Sequence, residues 1–480
     1  MLSCVTTPQD LDERFREAVG ALTAAPTARP ADEPIRDGAA LDGARALDLF
    51  DAQLVSRHLD LAARWLRSFG EGYYTIGSAG HEGNAAVALA VRGTDPALLH
   101  YRSGAFYCAR AAQVGRERPA TDAEARRVGI AERVAEAMRV ADGAGGARNG
   151  DGAPAADAAD EAAELPDPLL AAARDVLRGV VASVDDPVAG GRHKVFGNPA
   201  LAIVPTTSTI GSHLPRAVGI GFAIERLRRT GGRTRVPGQR KLGGTVRPHG
   251  EPESPWPADA IVICSFGDAS VNHATAVAAF NTAGWCDHTG LRIPVLFVCE
   301  DNGLGISVRS PDGWVANTLR AKPGIRYFAA DGCDLVETYE VAVEAAAWVR
   351  RHRRPAVLHL STVRLMGHAG SDVEMAYRTA AEISRDLARD PVVATARLLA
   401  EAGLASPEEL IVRYDEIGWQ VRKVAEEVLG ERKLATAADI VAPLAPRRPV
   451  RVARAISEAA SRAAGPGAAA PSAATRGRPP

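Results

Sequence analysis

Asp268 and Asn302 are the residues best placed to do chemistry, because each follows directly on a strongly apolar run. The first run reads Ala260-Ile-Val-Ile-Cys-Ser-Phe-Gly-Asp-Ala-Ser, and the second reads Ile293-Pro-Val-Leu-Phe-Val-Cys-Glu-Asp-Asn-Gly-Leu-Gly. Two buried strands would carry a carboxylate and an amide oxygen to one edge of a sheet, where open α/β sheets bind their ligands. Hard oxygen donors in that place suit Mg²⁺, an ion normally shared with the phosphates of a substrate or cofactor. The residues therefore point to a metal-anchored diphosphate site.

Such a site needs a sheet to hold it. Strand-like runs at 260–266, 293–298 and 356–363 alternate with helical stretches at 274–284 and 336–351. Continuous apolar strands joined by helical crossovers imply an α/β fold, a doubly wound and mostly parallel sheet with helices on both faces. Upstream, a helix is expected from Leu49 to Phe69, stopped by Gly70-Glu-Gly, and another from Leu214 to Arg229. Residues 48–390 then form the α/β domain. Residues 1–47, rich in Ala, Pro, Asp and Gly, read as a flexible extension, 141–164 as a disordered insertion and 230–257 as a loop insertion. A C-terminal helical segment is expected over 391–464. Within it Ser406-Pro-Glu-Glu409 forms a capping box, and Leu410, Tyr414, Ile417, Val421, Val424 and Val428 then make an apolar stripe that needs a partner surface. A last short helix is expected from Val450, and 465–480 as a disordered tail.

Composition excludes several functions. A formal net charge of −1 over 480 residues offers no basic field for nucleic acid and no polybasic patch for a membrane. No stretch reaches the roughly 18 apolar residues of a membrane span, and the N-terminus lacks a secretory pattern. The six cysteines show no Cys-x-x-Cys spacing, and two lie inside expected core strands. A soluble, cytoplasmic protein is expected. The absence of a Gly-x-Gly-x-x-Gly turn after the first strand argues against dinucleotide binding.

Gly267-Asp268-Ala269 through Asp301-Asn302-Gly303 resembles the thiamine diphosphate signature of the α-type half of 2-oxoacid dehydrogenase E1 components, the pyruvate and branched-chain 2-oxoacid dehydrogenases. The resemblance implies the thiamine diphosphate-binding fold. It also implies that Asp268, Asn302 and the main-chain carbonyl of Leu304 hold Mg²⁺, with Gly267 and Ala269 lining the cofactor. Ala269, Asp301 and Glu300 depart from the family pattern, and the interval between the motif's halves is longer, the extra residues falling in Trp285–Arg292. Four further elements follow in family order. His100-Tyr-Arg-Ser-Gly104 is similar to the Tyr-Arg pair that grips the diphosphate, which makes Tyr101 and Arg102 cofactor residues. Arg364-Leu-Met-Gly-His-Ala-Gly-Ser-Asp372, followed by Tyr377-Arg378, resembles a mobile loop whose histidine, here His368, contacts the diphosphate and assists acyl transfer. Ala369 stands where some members carry a phosphorylated serine. The segment from Thr206 resembles the one that bends the cofactor, with Ile210 as the wedge and the Ser208 backbone on the aminopyrimidine. Gly77-Ser-Ala-Gly-His-Glu-Gly-Asn84 parallels an element at the substrate entrance, with His81 as a catalytic candidate and Tyr73, Tyr74 and His193 as further lining.

The implied activity is oxidative decarboxylation of a small 2-oxo acid by an oxidoreductase with a disulfide acceptor. The acyl group would pass to the lipoyl arm of an acyltransferase E2 component. The acid that activates the cofactor belongs, in two-part members, to a β-type subunit or half, so an α2β2 heterotetramer is expected and the chain alone should be inactive. Two alternatives stand beside it. One is a shortened fused α-β enzyme, suggested by Asp268-Ala-Ser-Val-Asn-His and by the helix at Val450; the other is a noncatalytic cofactor-binding or interaction subunit.

Overall fold

The apolar runs that flank Asp268 and Asn302 fold as strands whose alternate residues serve two separate cores. In the computed structural model the described residues are 7–25, 27–73, 75–117, 167–186, 188, 195–206, 209–230, 254–441 and positions 453, 456, 457 and 459. The strands are β1 (Ala97–Leu98), β2 (Val262–Gly267), β3 (Val295–Asp301), a small hairpin β4 (Leu304–Gly305) and β5 (Val308–Arg309), β6 (Arg326–Asp331) and β7 (Ala356–Ser361). Five of them form a sheet in the order β1-β2-β3-β7-β6, every neighbour parallel. Side chains one apart on a strand point to opposite faces. Ile263, Leu296 and Val298 accordingly join the core beneath helices Gly43–Ser68 and Leu335–His352. Val262, Cys264, Val295 and Phe297 join the opposite core beneath His213–Arg229 and Ala274–His288. The expected doubly wound architecture is therefore present, and no helix of the described residues is long and apolar enough to cross a membrane.

Several boundaries move. Residues 8–20 are not a flexible extension: Thr7 and Asp10 form a capping box that starts helix Pro8–Gly20. That helix buries Leu11, Phe15 and Val19, and Phe15 stacks on Tyr414 at 4.1 Å. Ile35 and Leu41 are also buried, so order begins well before residue 48. The composition of 21–45 hid this, because a few anchoring residues suffice when a long helix offers a surface. The extra residues at 285–292 are in part the last turn of helix Ala274–His288. Strand β6 and the hairpin were not anticipated, since Arg326, Tyr327 and the flanking glycines break the apolar run. The expected insertion at 141–164, residues 231–253 of the expected loop, the tail at 465–480, and Tyr74, His193 and Ser208 lie outside the described residues.

Helices Pro391–Glu401 and Pro407–Leu429 are not a separate segment after residue 390. Val392, Leu399, Leu410 and Tyr414 share one core with Leu54 and Leu59 of Gly43–Ser68. The Ser406 capping box is formed, and the whole stripe from Leu410 to Val428 is buried. The chain divides instead into Met1–Leu434 and a second unit, Ala435–Pro480, whose described part includes helix Ala437–Val441.

His58 sits in this helical layer, 4.3 Å from the Tyr414 ring. Burial pushes its pKa down from 6.5 to about 4. Unfolding frees the ring to titrate normally, so the unfolded chain binds the extra proton first. Stability from His58 is complete above pH 6.5 and is lost as pH falls toward 4, by about 2–3 kcal/mol. Urea unfolding at pH 7 and pH 5 should show this loss, and His58→Gln should flatten it; an unchanged pH slope in that variant would reject the assignment.

Candidate functional site

Strands β2 and β3 run side by side with Gly267 level with Glu300, so the residues just beyond them, Asp268 and Asp301-Asn302, emerge at the same sheet edge. Asp268 opens a short 3-10 turn, is buried, and accepts a hydrogen bond from Ser310 Oγ. The Ser310 backbone N–H in turn donates to the Gly303 carbonyl at 2.9 Å. Ser310 thereby ties the carboxylate to the turn that carries Asn302 and Leu304. Asn302 is fixed on both sides: Oδ1 accepts from Leu304 N at 3.0 Å, and Nδ2 lies 2.8 Å from His81 Nε2. Asp301 caps the same turn through Gly303 N at 2.9 Å and pairs with His359 at 2.7 Å. Ala269 packs against the hairpin, where a Cβ on Gly305 would stand 2.7 Å from its own Cβ.

Burial, and next the Asp301 carboxylate, push the Asp268 carboxyl up to about 6, while Ser310 and backbone donors pull the other way. A buried carboxylate in that state, tied through Ser310 to the turn that carries Asn302 and Leu304, fits a hard divalent ion.

The Tyr101-Arg102 element and the His368 loop meet next to this edge. His100 N donates to Ser265 Oγ at 2.8 Å, which fastens the element to β2. Arg102 is buried, donates to the Gly77 carbonyl, and places Nη2 3.1 Å from His368 Nδ1. The Tyr101 ring stands edge-on to His368 at 6.3 Å. Burial first, then Arg102 and Arg364, hold the His368 imidazole down to about 4, so it is neutral at working pH. The loop that the resemblance expects to be mobile is pinned here: Asp372 accepts from His368 N at 2.6 Å and from Tyr377 Oη, and Arg364 donates to that same hydroxyl. A guanidinium beside a neutral imidazole is a combination suited to a diphosphate.

The Gly77–Asn84 segment differs most from its expected role. His81 is fully buried and does not line an entrance. The backbone passes so close to the strand ends that a Cβ on Gly80 would meet the Val363 carbonyl at 2.2 Å, and one on Gly83 the Gly332 carbonyl at 1.9 Å. From behind, Asp60 accepts from Ala79 N at 2.8 Å and Glu82 from Gly80 N at 2.7 Å. Arg57 clamps Glu82 at 2.7 Å and Asp390 at 2.8 Å, all three buried. The segment is thus a wall of the site rather than its mouth. Tyr73 is exposed and belongs to no cluster of these groups. Ile210 is 43% exposed in the turn before helix His213–Arg229, whose His213 Nε2 lies 2.7 Å from the Ser265 carbonyl at the end of β2. The turn that carries Ile210 thus leads into a helix start fastened to β2.

Ser310, Glu300, Arg57 and Asp390 were not foreseen as site residues. Arg57 carried a signal, since an arginine amid Leu54, Val55 and Leu59 must find a buried partner. Ser310 carried none.

A parallel α/β sheet with a buried carboxylate and an amide just beyond adjoining strand ends, beside an Arg-His cluster, places the chain in the doubly wound class. Residues 171–436 match the family described as "Dehydrogenase E1 component", and the chain belongs to that family. It is similar to the pyruvate dehydrogenase E1 component subunit alpha, testis-specific form, of Homo sapiens, with 32% identity over 177 residues. The Bos taurus somatic form is 32% identical over 175 residues, and the Dictyostelium discoideum subunit 24% over 172. Each match covers 35% of this chain, and the chain spans only 42–44% of these relatives' length.

Proposed function

We propose that this chain is the α-type component of a thiamine diphosphate- and Mg²⁺-dependent 2-oxoacid dehydrogenase that works with a β-type partner. The observation that carries the reading is the convergence of Asp268, Asn302, Arg102 and His368 at one sheet edge. Asp268, Asn302 and the Leu304 carbonyl would hold the metal, and Tyr101, Arg102 and His368 would take the diphosphate. When bound, thiamine diphosphate supplies the electron sink that makes loss of carbon dioxide from a 2-oxo acid feasible. The chain's own contribution is positioning and charge: Arg102 would neutralise phosphate oxygens, and Ser310 holds Asp268 in place. His368, neutral with Nδ1 accepting from Arg102, keeps its other nitrogen to hold or move a proton during acyl transfer toward a lipoyl group on an E2 component.

A partner is supported by the surroundings. Ile306, Val308 and Val373, on the hairpin and on the His368 loop, are each more than half exposed, an apolar rim of the kind that a second protein covers. Among the described residues, the carboxylates at this edge are already engaged, Glu300 with His81 and Ser103 and Asp301 with His359. Pyruvate or a branched-chain 2-oxo acid is the substrate class, an α2β2 assembly the arrangement, and a reducing cytoplasm the location, a reading the five buried free thiols favour. Turnover of a 2-oxo acid panel with a dye acceptor tests it. Activity is expected only when the chain is combined with its β-type partner; equal turnover without it would reject the two-part reading.

A further inference from the structure

We infer that Glu300 and His81 are positioning residues that orient the Asn302 amide, and that the Glu300 carboxylate ties this metal-facing group to the diphosphate arm. The inference rests on the metal site proposed above. Its basis is an unbroken set of hydrogen bonds at the end of β3. Glu300 Oε2 lies 2.8 Å from His81 Nδ1 and accepts from Asn84 Nδ2 at 3.2 Å, while Oε1 accepts from Ser103 Oγ at 2.5 Å. The second His81 nitrogen, Nε2, lies 2.8 Å from Asn302 Nδ2. All of Glu300, His81, Asn84 and Ser103 are buried, so water does not compete for these bonds.

The chemistry of the donors fixes the direction of each bond. The Asn302 NH₂ can only donate, so His81 Nε2 must be bare and the ring proton sits on Nδ1, which donates to Glu300. Neutral imidazole then has a bare lone pair on Nε2, which accepts from the Asn302 amide nitrogen. With its NH₂ turned to His81, Asn302 presents Oδ1 on the other side, where Leu304 N takes one lone pair and the second is available to a cation. Leu304 N holds the amide oxygen and His81 holds its NH₂, so without an acceptor at position 81 one of the two restraints against a turned amide, which would offer a nitrogen with two hydrogens to the metal, is lost. Groups behind a ligand that fix its orientation typically change metal affinity 10- to 100-fold.

The same carboxylate reaches the other half of the site. Ser103 follows Arg102 directly, and Asn84, besides donating to Glu300, donates to the Arg102 carbonyl at 3.3 Å and accepts from Phe106 N at 2.7 Å. Glu300 therefore sets the distance between the Asn302 turn and the Tyr101-Arg102 element. Glu300 was read from sequence only as a departure from the family pattern; its place in the fold gives it this bridging role. A divalent ion and a diphosphate bound together need that distance held constant.

The test uses the full chain assembled with its β-type partner, Mn²⁺ as the probe with thiamine diphosphate present, and electron paramagnetic resonance to count bound ion. His81→Gln retains an N–H for Glu300 and an oxygen for Asn302, and should bind Mn²⁺ within about threefold of wild type. His81→Leu removes the acceptor and should weaken Mn²⁺ at least about tenfold while the circular dichroism melt stays cooperative. Equal binding by both variants, or equal loss in both, overturns the inference. If His81→Leu does not fold, ¹⁵N-histidine NMR of the wild-type assembly decides, with the His81→Gln spectrum identifying the signal: the Nδ1–H tautomer is required, and the Nε2–H tautomer overturns it. Wild-type protein that binds no Mn²⁺ would instead reject the underlying metal site, which Asp268→Ala reports separately.

Discussion

Asp268→Ala is expected to remove metal-dependent binding of thiamine diphosphate and to lower decarboxylation by the assembled enzyme by about 10³-fold or more, a loss of several kcal/mol of charge stabilisation. Asp268 is the only ionisable group among the three oxygens proposed to hold the ion; the Asn302 amide and the Leu304 carbonyl are neutral. Its carboxyl is pushed up to about 6 mainly by burial and next by Asp301, a cost that a divalent cation would reverse. Asp268→Asn keeps the shape and one oxygen, and should fall between wild type and Asp268→Ala. Calorimetric titration of thiamine diphosphate with and without Mg²⁺ measures the first effect, and the 2-oxo acid assay the second. Retained Mg²⁺-dependent binding in folded Asp268→Ala would place the metal elsewhere.

The parts of the site that the sequence exposes are those in which a strand's apolar run ends abruptly in a polar residue. Asp268 and Asn302 stand out for that reason, and β2, β3 and β7 fall within a few residues of their expected bounds. His368 and Arg102 were legible only as members of ordered motifs, since neither has a periodic signature of its own. What was not legible depends on contacts distant in sequence. Residues 8–20 look unremarkable until Tyr414, some four hundred positions later, supplies the surface on which Phe15 stacks. His81 reads as a polar residue in a glycine-rich turn and therefore as exposed. Its burial follows from the near-contact of Gly80 and Gly83 with carbonyls beyond β7 and β6, which no local pattern encodes. The boundary expected at residue 390 failed for a related reason: Asp390 caps the following helix and also pairs with Arg57, so that helix is anchored in the same core.

Arg102→Met should weaken thiamine diphosphate binding by about 100-fold, the loss of one or two charge-assisted hydrogen bonds, with a smaller effect on turnover at saturating cofactor. Methionine keeps the apolar stem that packs in the buried channel while deleting the guanidinium. Arg102→Lys should recover only part of the affinity, because an ammonium cannot reproduce the planar fork. The decisive readout is the titration of His368. Burial is the largest cause of its depression to about 4, and Arg102 is the next. Removing Arg102 deletes a positive neighbour 3.1 Å away, so the protonated imidazole is penalised less and its pKa must rise toward 6.5. At pH 6 a larger fraction of His368 would then be charged, and the acid limb of the rate profile should move to higher pH in Arg102→Met. Binding of the diphosphate to wild type should shift His368 in the same direction, since its negative charge offsets the same guanidinium. His368→Asn in the Arg102→Met background removes the shifted limb if His368 is the titrating group. A limb that stays in place in Arg102→Met, or persists in the double variant, would show that His368 does not exchange the proton during turnover and leave it the role of a hydrogen-bond partner alone.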